Sequence, residues 1–207
     1  MMAQVLKSEV RERIQASALQ HFADRGYGGA TLAQIAADAG TAPANLYRYF
    51  PSKEALFAAV VPAQFAARHD ALLDTRITAL ARGEHGPAAR ELLDFWLDHR
   101  LAVVILLERA EGTPFADYPA GFVRRMVEDV ERMQHLEPTP AQHAILTLVF
   151  DNTRRIIARI LHTARDRDEA AEQIAAFWSY QLPGLDGLIT HLRAQPHRPR
   201  LPDFLTT

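Results

Sequence analysis

An all-α chain is expected, with a small helix-turn-helix at the amino terminus and a larger helical body behind it. Three observations lead to this. Apolar residues recur at three- and four-residue spacing along most of the 207 residues. No run alternates apolar and polar residues in the manner of a strand rich in Val, Ile and Thr. Gly and Pro punctuate the periodic segments rather than interrupting them at random. Hydrophobic residues make up 48% and charged residues 23%, values of a globular chain rather than a disordered one. The longest apolar run, Leu101 to Leu107, is far short of the ~20 residues of a membrane span and is flanked by Arg100 and Glu108. Met1 to Val10 lacks a secretory apolar stretch and carries Lys7 and Glu9. The absence of cysteine excludes disulfides, thiol catalysis and Cys-ligated metals, and fits a cytoplasmic location. A net charge of −2 means that any nucleic-acid binding must come from local geometry rather than bulk attraction.

The first helix is expected from Ser8 to Arg25, with Ile14, Ala18, Leu19 and Phe22 at helical spacing. Gly26 follows, suited to a left-handed helix end, and Arg25 favours the negative end of the dipole. Thr31 followed by Gln34 reads as a capping box opening a second, short helix that buries Leu32, Ile35, Ala36 and Ala39 and stops at Gly40. A third helix runs from about Pro43 to Phe50 and ends before Pro51, with Pro tolerated in its first turn. Leu46 and Phe50, at i and i+4, should lock it inward. Ser52 should cap a fourth helix and leave Lys53 in its first turn, where a cation opposes the dipole. Two short helices around a Gly-containing turn, preceded by a packing helix, make a helix-turn-helix.

These residues, Ala18-Leu19…Phe22-Ala23-Asp24-Arg25-Gly26-Tyr27, Thr31…Ile35-Ala36…Ala39-Gly40 and Leu46-Tyr47-Arg48-Tyr49-Phe50-Pro51-Ser52-Lys53-Glu54-Ala55-Leu56-Phe57, resemble the amino-terminal domain of TetR-type transcriptional repressors. The resemblance covers about the first quarter of the chain. It implies base reading from the start of the third helix, by Thr41, Ala42, Pro43, Ala44 and Asn45, with Tyr47 and Arg48 further along. Thr31, Tyr49 and Lys53 are the matching phosphate contacts. Pro43 and Ala44 offer no side-chain hydrogen bonds, so Arg48 and Asn45 are the obvious polar readers, with thymine methyls and DNA shape left to carry much of the specificity. His21 departs from the family, which favours an aliphatic residue there. Residues 1 to 60 hold six Lys or Arg against five acids, so the electrostatic part of binding should be modest.

The expected layout is a DNA-binding domain over 1–57, an effector-binding and dimerisation domain over 58–194 and a frayed Pro- and Arg-rich tail over 195–207. In the body, helices are expected over Ser52–Arg82 (interrupted near Pro62), Ala88–Glu111, Gly121–Leu136, Thr139–Ala164 and Asp168–Arg193. The last two are apolar over more than one face: Ile145, Leu148, Ile156 and Phe150, Ile157, Leu161 in one, Phe177, Trp178, Leu182 and Leu188 in the other. Such helices must bury a second face, either in a large core or in a two-fold four-helix bundle. The resemblance implies the second, a homodimer whose recognition helices meet successive turns of double-stranded operator DNA. It also implies a small-molecule effector in the middle helices, where Phe95, Trp96, His99, Val103, Phe115, Tyr118, Phe122 and Met126 are candidate lining for an apolar ligand. Asp151, Asn152 and Arg155 interrupt an apolar stripe. They either pair only with one another or, if buried, anchor a ligand or the partner subunit.

Catalysis is not expected. There is no HExxH pair, GxSxG motif or glycine-rich phosphate loop, and no constellation for a metal or cofactor. A small helical enzyme and an effector-independent DNA-binding protein are the alternatives. The ~150 residues beyond the first domain exceed what dimerisation alone needs.

Overall fold

The structure is a computed structural model and describes residues 2–82, 84 and 86–194. The expected tail at 195–207 lies outside the described residues. Among the described residues ten helices follow one another: α1 (Met2–Gly29), α2 (Leu32–Asp38), α3 (Pro43–Tyr49), α4 (Lys53–Val60), α5 (Ala63–Ala81), α6 (Pro87–Asp98), α7 (Arg100–Glu108), α8 (Tyr118–Met133), α9 (Pro140–Thr163) and α10 (Arg167–Ala194). There is no strand among the described residues, and no helix is long and apolar enough to cross a membrane.

In the first domain the expected elements form where local chemistry places them. Gly26 takes φ 69° and ψ 170°, a conformation that L side chains rarely adopt, and breaks α1 one turn before its end. Gly40 (φ 67°) closes α2 as a Schellman turn, in which Thr41 N donates to Ala36 O and Gly40 N to Ala37 O. Ile14, Ala18 and Phe22 of α1, Ile35 and Ala36 of α2, and Leu46 of α3 are completely buried against one another. Phe57 of α4 closes this core, edge-on to Phe22 at 5.4 Å and to Tyr27 at 5.4 Å. The expected boundary after residue 57 therefore falls inside α4, which packs on α1.

The body is built around α7, whose Ala102 to Leu107 are all buried beneath α1, α8 and α9. The run that most resembled a membrane segment is thus the central core helix. The single helix expected from Ala88 to Glu111 is two. His99 (φ −124°, ψ 34°) donates its N–H to Phe95 O and accepts from Val103 N, ending α6 and opening α7 in a new direction. No Gly or Pro marks that break. Pro119 and Pro140 sit in first turns, and α8 begins at Tyr118, earlier than expected. Thr139 and Gln142 form a full reciprocal capping box on α9. α10 continues through Pro183 without interruption.

Candidate nucleic-acid interface and the core behind it

The outer face of α3 is set by its inner one. With Leu46 and Phe50 at 0% and 2% exposure, helical spacing turns Ala42, Pro43, Ala44, Tyr47 and Arg48 to the surface. Tyr47 is 53% exposed, so its ring and hydroxyl are available at that surface. Arg48 makes no ion pair among the described residues. Asn45 is half-buried and gives an amide N–H to Thr41 Oγ1 at 2.8 Å, so one of its donors is already committed. Thr31 caps α2, accepting from Gln34 N at 3.3 Å. Its hydroxyl donates to Gln34 Oε1 at 2.9 Å, so the expected box is closed side chain to side chain instead of through the Thr31 amide.

Two expected phosphate contacts are more deeply engaged than their sequence positions suggest. Tyr49 is half-buried against the core. Lys53 Nζ lies 4.4 Å over the centre of the Tyr27 ring. This cation–π contact, with Glu54 alongside, offsets the unfavourable placement of a cation at a helix start. The Tyr27 hydroxyl donates to Glu54 at 2.8 Å, and burial, then Glu54, push its pKa up to about 12. The unexplained His21 also finds its reason. It is 6% exposed, and its Nε2 lies 2.6 Å from Asp38 Oδ2, pinning α1 to the end of α2. Ser17 donates to Ile35 O at 3.0 Å and Arg13 to Ala39 O at 3.2 Å, so three polar links hold the two helices in register.

The arrangement is a three-helix support presenting one short helix with its apolar side locked and its other side free. Residues 14–60 match the family model described as bacterial regulatory proteins, tetR family. The amino-terminal domain belongs to the TetR family. Among relatives, 93 residues are 38% identical to a nucleoid occlusion factor, SlmA, of Pasteurella multocida, covering 43% of this chain and 44% of that protein. Over 54 residues the chain is 46% identical to the transcriptional regulator RutR of Escherichia coli K12, covering 26% of each. The matches thus span less than half the length of these curated relatives. A solved TetR-family transcriptional regulator from Streptomyces coelicolor overlaps 90% of this chain and 89% of its own at 18% identity with a TM-score of 0.40.

Behind the TetR-family domain, four of the candidate pocket residues converge, but on a residue not singled out from the sequence. His69 of α5 is fully buried and accepts from Trp96 Nε1 at 2.8 Å through its Nε2. Indole can only donate, so the ring proton sits on Nδ1, which faces the Tyr118 hydroxyl at 2.6 Å. Tyr118 donates onward to Asp70 at 2.8 Å, and Arg125 binds Asp70 at 2.9 Å and also pairs with Asp74. Phe95 and Phe122 complete the cluster, with ring centres 6.0 and 6.2 Å from His69. Burial, then the Arg125 charge, push the His69 pKa down to about 4, so the ring is neutral at pH 7. Burial and the Asp70 bond raise that of Tyr118. His69 lies at i+4 from Phe65 on an otherwise apolar face. That spacing was the available signal, but it reads equally as plain core.

The remaining candidates are dispersed. His99 is exposed at the rim, its ring edge-on to Phe95 at 4.9 Å. Val103 is completely buried in the centre of the body, and Met126 is half-buried against the core. Phe115 leaves the cluster altogether and packs 6.3 Å from Phe57 of α4, joining the body to the TetR-family domain. Asp151 does pair with Arg155, at 2.8 Å, but Arg155 is 61% exposed along its side chain and Asn152 is exposed. The buried partner is Arg154, 5% exposed, which binds Asp151 at 2.6 Å and donates to Leu107 O on α7. Burial works against the Asp151 charge, but the two arginines hold its pKa below the usual value.

Proposed function

We propose that the protein is a ligand-responsive transcriptional regulator, a repressor that binds a palindromic operator as a homodimer in the cytoplasm and is released by a small apolar effector. The exposure pattern of α3 carries this reading: a helix locked by Leu46 and Phe50 that offers Pro43, Ala44, Tyr47 and Arg48 to a groove. On this reading Thr31, Thr41, Ala42, Asn45, Tyr49 and Lys53 are further contacts to phosphate and base edges. Support for the dimer comes from α9 and α10. Ile145 and Leu148, one turn apart on α9, are 40% and 65% exposed, and Tyr180 and Leu182 of α10 75% and 56%, large apolar side chains for a partner to cover. An apolar effector would reach the aromatic cluster by displacing rings such as Phe95 and Phe122, with Trp96, Tyr118 and His69 supplying polar orientation.

Selection of bound duplexes from a random-sequence pool, with an Arg48→Ala, Tyr47→Ala variant in parallel, tests the reading. The expected product is an inverted repeat with half-sites ~34 Å or a multiple apart, lost in the variant. No enrichment by folded, dimeric protein at low salt would overturn it.

A further inference from the structure

A cleft of about 260 Å3 lies between the end of α7 and the carboxyl-terminal half of α9. None of the residues of the His69 cluster lines it. Its wall holds Arg109, Arg155 and Arg159 with His162, against a single acid, Glu108, while Val104 and Ile156 supply an apolar side. Two of these cations differ from ordinary surface charges. Arg109 lines the cleft, is half-buried and forms no ion pair among the described residues; its Nε, which also lacks a hydrogen-bond partner, is occluded. Arg159 forms no ion pair among the described residues. Arg155 and His162 are already held, by Asp151 at 2.8 Å and by Asp24 at 2.7 Å.

We propose that this cleft binds a small organic carboxylate, with Arg109 and Arg159 on its anionic end and Val104 and Ile156 against its hydrocarbon. A guanidinium presents a planar fork of N–H donors that matches a carboxylate bidentately. The volume falls below the ~300–1,000 Å3 usual for drug-sized ligands, which limits the occupant to a small molecule. Glu108 repels a carboxylate from its own side of the wall and so directs the anionic end to the arginines. Because His162 is bonded to Asp24 near the end of α1, the occupant touches the junction of the body with the helix that supports α2 and α3. The binding site itself stands whether or not the protein binds DNA.

Calorimetric titration of the full chain with succinate and with benzoate at constant ionic strength tests it, with succinamide as an uncharged isostere and sulfate as a simple anion. Saturable binding of at least one carboxylate is expected, weakened tenfold or more in Arg109→Gln and in Arg159→Gln. Arg124→Gln, which alters an exposed arginine outside the cleft, should bind as the native chain does. Thermal unfolding without ligand establishes that each variant is folded, and Arg159, being exposed, can be replaced without disturbing the core. Absence of saturable carboxylate binding would overturn the proposal. So would equal affinity in Arg159→Gln and Arg124→Gln, equal binding of succinamide, or binding of sulfate alone.

Discussion

The two ends of the molecule are held together differently. In the TetR-family domain the core is mostly apolar, and single polar links join α1 to α2: His21, itself buried, reaches Asp38, Ser17 reaches Ile35 O, Arg13 reaches Ala39 O. In the body polar groups are threaded through the core itself. The chain from Trp96 through His69, Tyr118 and Asp70 to Arg125 ties α5, α6 and α8, and Arg154 ties α9 to α7. A core of apolar side chains tolerates no voids. A core containing a neutral histidine with both nitrogens committed depends on that protonation state.

The contrast can be broken first at Phe22. It is completely buried between Tyr27 and Phe57, so Phe22→Ala should cost ~3–5 kcal/mol, read by urea unfolding. A loss under 1 kcal/mol would mean that the amino-terminal core is not held by packing.

The next test is in the body. His69 has a folded pKa of about 4 against 6.5 for the free group. The unfolded chain therefore takes up a proton between these values while the folded chain does not, and stability rises with pH across that window. The contribution is complete above about pH 6.5 and is lost as pH falls towards 4, a difference of about 3 kcal/mol. His69→Gln, which can still accept from Trp96 but does not titrate, should lower stability at pH 7.5 and flatten the slope between pH 6.5 and 4.5. An unchanged slope would show that His69 is not the group responsible.

The smallest effect sharpens the comparison at a helix end. Thr31→Ala removes the α2 cap and should cost ~1 kcal/mol, with an unaltered circular-dichroism spectrum. If no loss is measured, the Thr31–Gln34 bonds seen at the surface are without energetic weight.

Legibility from sequence follows the same division. The helix-turn-helix could be read because its determinants are local: the Leu46–Phe50 pair, the Ser52 cap, the Gly40 turn and a proline at the start of α3. The body could be read only as a set of helices. Its aromatic residues were recognisable as candidates, and Phe95, Trp96, Tyr118 and Phe122 do meet. Yet Phe115 does not join them, and Arg154 rather than Arg155 is the buried partner of Asp151. Arg154 and Arg155 are adjacent in sequence and differ by about 100° around the helix. Which of them turns inward depends on where α7 lies.

The sequence by itself determined the helical class, the family of the first domain and the residues on the free face of α3, because periodicity, caps and left-handed glycines act within a few residues of chain. Only the tertiary structure decided that His69 joins Trp96, 27 residues away, to Tyr118, 49 residues away, and that Arg109 and Arg159 line one cleft between α7 and α9. A buried polar group is defined by its partners. Those partners are brought together by the packing angles of several helices, which no local pattern records.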